Sequence, residues 1–201
     1  MSWYRGCEEF VSENVPLARM TSYRVGGPAR FLAAPPDEAA LSEVLSRAAD
    51  AGLPVRSLGH GSNLLAADAG VDGMIVRLPR SGFGSVERVG TSVRVGSAHS
   101  LSGLVKWSVA QGLRGLECLY GIPGTVGAAL RMNSGGKHGE IGARVRRVRG
   151  VERDGTAVEL RGEQCGFSYR NSGLNGRIVT GCELELEEGD PAAGEALITR
   201  I

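Results

Sequence analysis

The chain has 201 residues, 42% of them hydrophobic, and a formal net charge of +1. That length suits one mid-sized domain or two small lobes with a core of useful size, and the near-neutral charge excludes the clearly basic profile of a nucleic-acid binder. Glycine, at 31 residues, is about twice its usual share. The excess lies in short loops between apolar runs, which predicts tight turns and close backbone approaches.

The opening MSWYRGCEEFVSENV has no continuous apolar stretch of the kind a signal peptide needs. No run approaches the length of a membrane-spanning helix. Cys7, Cys118, Cys165 and Cys182 form no CxxC pair, and His60, His99 and His138 do not cluster with them. Reduced cysteines in a cytoplasmic protein, with no metal and no disulfide framework, are therefore expected.

The segment PARFLAAP (28–35) reads as a strand closed by Pro. A helix follows, with Asp37 as N-cap, Leu41, Val44, Leu45 and Ala48 at helical spacing, and Gly52 at the stop. LPVRSL (53–58) reads as a buried strand running straight into the loop GHGSN (59–63), and GMIVRL (73–78) as another strand. SVERVGTSVRVG (85–96) predicts two strands about a Gly-Thr turn. SLSGLVKWSVAQG (100–112) predicts a helix with Leu101, Leu104, Val105 and Ser108 on one face. ARVRRVRGVERDGTAVELRG (143–162) reads as a hairpin turned at Asp154-Gly155, its arginines on the solvent side. GRIVTGCELELEEGD (176–190) is a last strand, and PAAGEALITRI begins as a helix. This order is that of an α+β fold, not a regular βαβ alternation.

Two glycine-rich stretches invite a phosphate ligand, and two familiar phosphate loops fail. A P-loop ending at Gly136-Lys137 needs Gly at 131 and Ser or Thr at 138, where Arg131 and His138 stand. GHGSNL carries Leu64 where a dinucleotide fingerprint needs its third Gly. The loops still suit an anion on general grounds. Gly59 and Gly61 allow close backbone approach, Ser62 and Asn63 add donors, and in GIPGTVGAAL the free N–H groups of a short helix are expected to face an anion. Two such loops fit a pyrophosphate better than one phosphate, while purely structural turns account for the same residues equally well.

Four motifs in order, TSYRVGGPARF (21–31), LGHGSNLL (58–65), GLECLYGIPGTVGAALRMNSGGKHGEIG (115–142) and GFSYRNS (166–172), resemble the UDP-N-acetylenolpyruvoylglucosamine reductases. That family belongs to the flavoproteins with the PCMH or vanillyl-alcohol-oxidase type of FAD-binding fold. The resemblance implies an α+β fold of two lobes. Residues 1–21 are then a lead-in, 22–187 the FAD-binding domain (lobes of about 22–80 and 81–187), and 188–201 the start of a link to a substrate domain.

Carried onto this chain, the resemblance implies that Gly59, His60, Gly61, Ser62 and Asn63 hold the FAD pyrophosphate. Gly121, Ile122, Pro123, Gly124, Thr125, Gly127, Asn133, Gly135 and Gly139 line the rest of the cofactor, with Asn133 close to the flavin. The family reaction passes a hydride from NADPH through flavin N5 to UDP-N-acetylglucosamine enolpyruvate, making UDP-N-acetylmuramate for peptidoglycan. Hydride addition to an unsaturated carboxylate builds enolate charge, which a planar fixed cation stabilises. Arg170 matches the family's active-site Arg, and Tyr169 a Tyr on the nicotinamide and substrate side. His60 stands where the family usually has Gly or Glu, and Lys137-His138 replace a small-aromatic pair. For Lys137, a phosphate contact and plain solvation remain equally open.

The family pattern continues past this chain's last residue into a substrate domain that supplies proton delivery and much of the UDP-sugar site. The resemblance therefore implies a reductase whose substrate domain lies elsewhere, on a separate chain among other possibilities. The alternative is a free-standing flavin-binding module, or a remnant, without reductase activity. Neither a nucleic-acid nor a membrane partner is expected.

Overall fold

The computed structural model describes residues 2–199. The fold is α+β, and the chain forms two compact units. The first comprises Met1–Gly82, Gly150–Val158 and Gly176–Ile178; the second comprises Phe83–Arg149, Glu159–Asn175 and Val179–Ile201.

In the first unit, β1 (Val11–Pro16), β2 (Pro28–Ala33), β3 (Val55–Ser57) and β4 (Val71–Val76) form a sheet in the order β1-β2-β4-β3. The β2/β4 and β3/β4 pairs are parallel, and β1 is antiparallel to β2. Met74, Ile75 and Val76 are all buried, as expected for a strand covered on both faces. Between β2 and β3 runs α1 (Glu38–Asp50). Asp37 caps it by accepting the Ala40 N–H at 2.9 Å, a contact worth about 1 kcal/mol. Its Leu41, Val44, Leu45 and Ala48 are fully buried, each large side chain contributing roughly 1.5–3 kcal/mol.

Strand β1 has no counterpart in the sequence reading. Its residues are mostly exposed, so no alternation marks it. Only pairing with β2 defines it, from Val11 opposite Ala33 to Val15 opposite Ala29. The register is the same on both sides of Asn14, which adopts φ +53° within the strand.

A short helix, α2 (Arg80–Phe83), leads into the second unit. There β5 (Val86–Val89) and β6 (Ser92–Gly96) form the expected hairpin. Then come α3 (Leu101–Ala110), β7 (Leu113–Arg114), α4 (Val126–Arg131), β8 (Gly135–Gly136), β9 (Gly139–Glu140), β10 (Val145–Val151), β11 (Ala157–Arg161), β12 (Ile178–Glu185), β13 (Glu187–Glu188) and α5 (Pro191–Thr199). The main sheet has the order β11-β10-β12-β6-β5. Helices α3 and α4 bury Leu104, Val105, Val126 and Leu130 in one core with Val93, Val95, Val148 and Leu184 of the sheet. Arg146, Arg147 and Arg149 are exposed, and Arg147 pairs with Glu159 at 2.7 Å. In α5, a Cβ on Gly194 would stand 2.8 Å from a methyl of Val109.

The hairpin tip at Asp154-Gly155 is counted in the first unit. A Cβ on Gly155 would lie 2.4 Å from the Ser42 carbonyl of α1, and the Arg153 guanidinium donates to the Val55 carbonyl. Among the described residues no helix is long and apolar enough to cross a membrane.

Candidate functional site

The loop Gly59–Asn63 leaves the carboxyl end of β3, where ligands sit in open parallel sheets. Leu58 ties its start to the sheet by donating its N–H to the Val76 carbonyl at 2.9 Å. Gly61 adopts φ +68°, and a Cβ there would stand 2.0 Å from the Met20 carbonyl oxygen. The Gly61 carbonyl accepts the Ser22 N–H at 3.1 Å. The motifs GHGSN and TSYRVGG thus meet backbone to backbone, and only glycine fits at 61. His60 and Asn63 are exposed and Ser62 is half-buried. Partial burial first, then the charges of Arg77 and Arg80, push the His60 pKa below its ordinary value, so its imidazole is neutral at neutral pH.

In the second unit, Gly121, Ile122, Pro123 and Gly124 form the turn before α4, and Thr125 caps that helix. The Thr125 hydroxyl accepts the Ala128 N–H at 3.3 Å. Here the sequence expectation is corrected. The N–H groups of Val126 and Gly127 do not point freely at an anion; they donate to the His99 and Ser97 carbonyls, each at 2.9 Å. The Gly124 carbonyl accepts the Leu101 N–H at 3.0 Å. The first turn of α4 is stitched to the segment between β6 and α3, and its orphan donors are satisfied internally. Below it, the buried Ser97 hydroxyl has no hydrogen-bond partner among the described residues.

After α4 the chain turns at Asn133, which is 2% exposed with φ +43°. Its amide nitrogen donates to Glu140 Oε2 at 2.6 Å and to the Ser168 carbonyl at 3.0 Å. Its Oδ1 accepts the Gly142 N–H at 3.0 Å. Gly135 and Gly139 lie in the small β8–β9 hairpin, and Lys137 and His138 are exposed at its tip.

GFSYRNS forms a loop closed at its base, where Gly173 donates its N–H to the Cys165 carbonyl at 2.7 Å. Ser168 and Asn171 exchange both backbone hydrogen bonds at 3.0 Å, leaving Tyr169 and Arg170 as a two-residue turn. Tyr169 is 81% exposed. Arg170 adopts φ +55°, a conformation that costs a non-glycine residue roughly 1–2 kcal/mol. Its side chain has no carboxylate partner among the described residues.

The FAD binding domain family matches residues 29–161. UDP-N-acetylenolpyruvoylglucosamine reductase of Methylorubrum extorquens is 42% identical over 190 residues, 94% of this chain and 61% of the relative. The crystal structure of UDP-N-acetylenolpyruvylglucosamine reductase from Thermus caldophilus superposes with a TM-score of 0.83 at 35% identity, over 95% of this chain and 68% of that one. The chain belongs to the UDP-N-acetylenolpyruvoylglucosamine reductase family. It spans about three fifths of the length of the curated relatives it matches. A structure of 6-hydroxy-D-nicotine oxidase from Arthrobacter nicotinovorans has a TM-score of 0.64 at 23% identity, over 79% of this chain and 36% of that one, which places the fold alone. The architecture is the PCMH or vanillyl-alcohol-oxidase type of FAD-binding fold.

The loops of this reductase-family chain fit a flavin nucleotide. At Gly136 the backbone is not left-handed and an added Cβ would meet nothing within 4 Å, so neither conformation nor internal packing calls for glycine. An added Cβ on Gly121 would likewise project into open space. Such bare backbone admits a flat ligand closely. Gly59–Asn63 lie in the first unit and every other predicted site residue in the second. Within the second unit, Asn133 joins the α4 segment to the Arg170 turn. Sequence reasoning missed Glu140, Ser168 and Ser172 as the groups that hold this turn. Asn133 and Glu140 both lie in the third motif, but their spacing does not show that they pair, so only the contact marks them as partners.

Proposed function

We propose that this protein serves the NADPH-dependent reduction of UDP-N-acetylglucosamine enolpyruvate to UDP-N-acetylmuramate, a cytoplasmic step of peptidoglycan precursor synthesis. The observation that carries this reading is Arg170: a cation without a carboxylate partner among the described residues, on a strained turn held by paired backbone hydrogen bonds. Strain kept at an exposed charged residue is a mark of function more than of packing. FAD, when bound, supplies the two-electron carrier between NADPH and the enolpyruvyl double bond.

The chain's own residues have separable tasks. Gly59, His60, Gly61, Ser62 and Asn63 take the pyrophosphate; a neutral His60 offers one N–H donor without a full charge. The bare backbone at Gly121 lets the cofactor approach, Ile122, Pro123, Gly124, Gly127, Gly135 and Gly139 shape the loops around it, and Thr125 keeps the α4 turn rigid. Arg170 holds the substrate carboxylate and opposes the charge that grows there on hydride addition, and Tyr169 flanks the nicotinamide and substrate side. Because its charge is permanent, Arg170 requires no proton transfer to do this.

Purified protein is expected to be yellow and to release FAD on denaturation. A colourless protein that takes up no added FAD overturns the reading. NADPH consumption dependent on the enolpyruvyl substrate tests the chemistry; FAD binding without any such consumption by the full natural polypeptide removes the reductase step.

A further inference from the structure

We propose that Asn133 is a positioning residue for Arg170, acting through the hydrogen bond from its side-chain amide to the Ser168 carbonyl. The inference rests on the reading in which Arg170 meets the substrate carboxylate, and it assigns the Asn133 amide a task other than touching the cofactor.

A neutral amide has two N–H donors. Both are committed inside the chain, one to Glu140 Oε2 at 2.6 Å and one to the Ser168 carbonyl at 3.0 Å. Its oxygen accepts from Gly142 N–H at 3.0 Å. No donor is left for a ligand. Ser168 opens the two-residue turn, so its carbonyl receives both the Asn171 N–H and the Asn133 amide. The turn by itself has two hydrogen bonds to hold Arg170 at φ +55°. The Asn133 bond adds a third, from a side chain that is 2% exposed and cannot swing away. Glu140 orients the amide by taking its other hydrogen.

The residue type fits this task closely. Position 133 has φ +43°, which Asn tolerates better than most side chains. Asp would keep the shape but donate nothing. The second brace of the loop, Ser172 Oγ to the Arg131 carbonyl at 2.8 Å, reaches the segment after the turn and leaves Ser168 untouched.

Three variants of the full chain separate the bonds. Asn133→Gly keeps the backbone and removes all three. Glu140→Gln keeps an acceptor for Asn133. The double variant Asn133→Asp with Glu140→Gln reverses that bond, since the amide introduced at position 140 donates to the carboxylate introduced at position 133. Gly142 N–H still finds an acceptor there, but nothing donates to Ser168. Amide hydrogen exchange at Ser168 and Asn171 is the direct readout and needs no substrate. We expect exchange there to rise about tenfold in Asn133→Gly and in the double variant, the size of one lost hydrogen bond, and to stay unchanged in Glu140→Gln. Wild-type protection in Asn133→Gly, or recovery in the double variant, overturns the proposal. Should Asn133→Gly fail to fold, the double variant, which retains two of the three bonds, decides alone. In the full natural polypeptide, kcat is expected to fall in the double variant while FAD affinity holds; lost FAD affinity with unchanged kcat overturns the positioning role. If the unmodified protein shows no turnover, the reductase reading falls, and the exchange result still decides whether Asn133 holds the turn.

Discussion

The Ser172 hydroxyl donates to the carbonyl of Arg131 at 2.8 Å, and Ser172 is fully buried. This bond joins the end of α4 to the loop that carries Arg170, and it satisfies a carbonyl that a helix C-terminus would otherwise leave unpaired. Ser172→Ala is expected to destabilise the fold by about 0.5–1.5 kcal/mol, because a part-buried carbonyl loses its hydrogen bond. Chemical denaturation reads this. A change below a few tenths of a kcal/mol means that water or another donor replaces the hydroxyl.

Gly61→Ala tests the backbone contact between GHGSN and the segment at Met20. An added Cβ stands 2.0 Å from the Met20 carbonyl and the backbone is left-handed at φ +68°. A shift is unavoidable, because the obstructing atom is backbone. The expected result is a loss of about 2 kcal/mol or more together with weakened FAD retention, measured by thermal melting and flavin fluorescence. Wild-type melting and retention would show that the loop has room to move.

Arg170→Gly separates strain from function. Glycine is indifferent to φ +55°, so removing the side chain relieves about 1 kcal/mol of backbone cost while removing the guanidinium. Stability is expected to rise slightly and kcat of the full natural polypeptide to fall steeply, with FAD affinity unchanged. Arg170→Ala is expected to lower kcat in the same way without the gain in stability. A change confined to KM would argue that Arg170 binds the substrate without favouring its transition state.

Cys182 is fully buried beside Cys165 in the second unit's core, and burial pushes its thiol pKa from 9.0 up to about 12. Only the thiolate reacts with disulfide reagents. Native protein is therefore expected to leave Cys182 unlabelled at pH 8 and to release it on unfolding. The same shift has a sign for stability. The folded pKa is raised, so the unfolded thiol ionises first and stability falls as pH climbs from 9.0 towards about 12. Mass spectrometry of labelled peptides follows the first expectation and urea titrations at rising pH the second. Rapid native labelling of Cys182 would contradict its burial.

The sequence by itself determined the features that depend on a few neighbouring residues. The α1 helix was legible from Asp37, its apolar spacing and Gly52. The β5–β6 hairpin followed from alternation about Gly90-Thr91, and the four motifs named the family. These signals are local: a cap, a period or a turn residue acts within a few positions of the chain. Tertiary structure decided the rest. Strand β1 exists only because β2 lies beside it. The first N–H groups of α4 looked free in the sequence, but the Ser97 and His99 carbonyls take them. The motif singles out Asn133, but not the partners of its amide: Glu140, Gly142 and a carbonyl 35 residues further along the chain. A donor's type is written in the sequence. Its partner depends on which distant segment packs against it, and that is set by the fold.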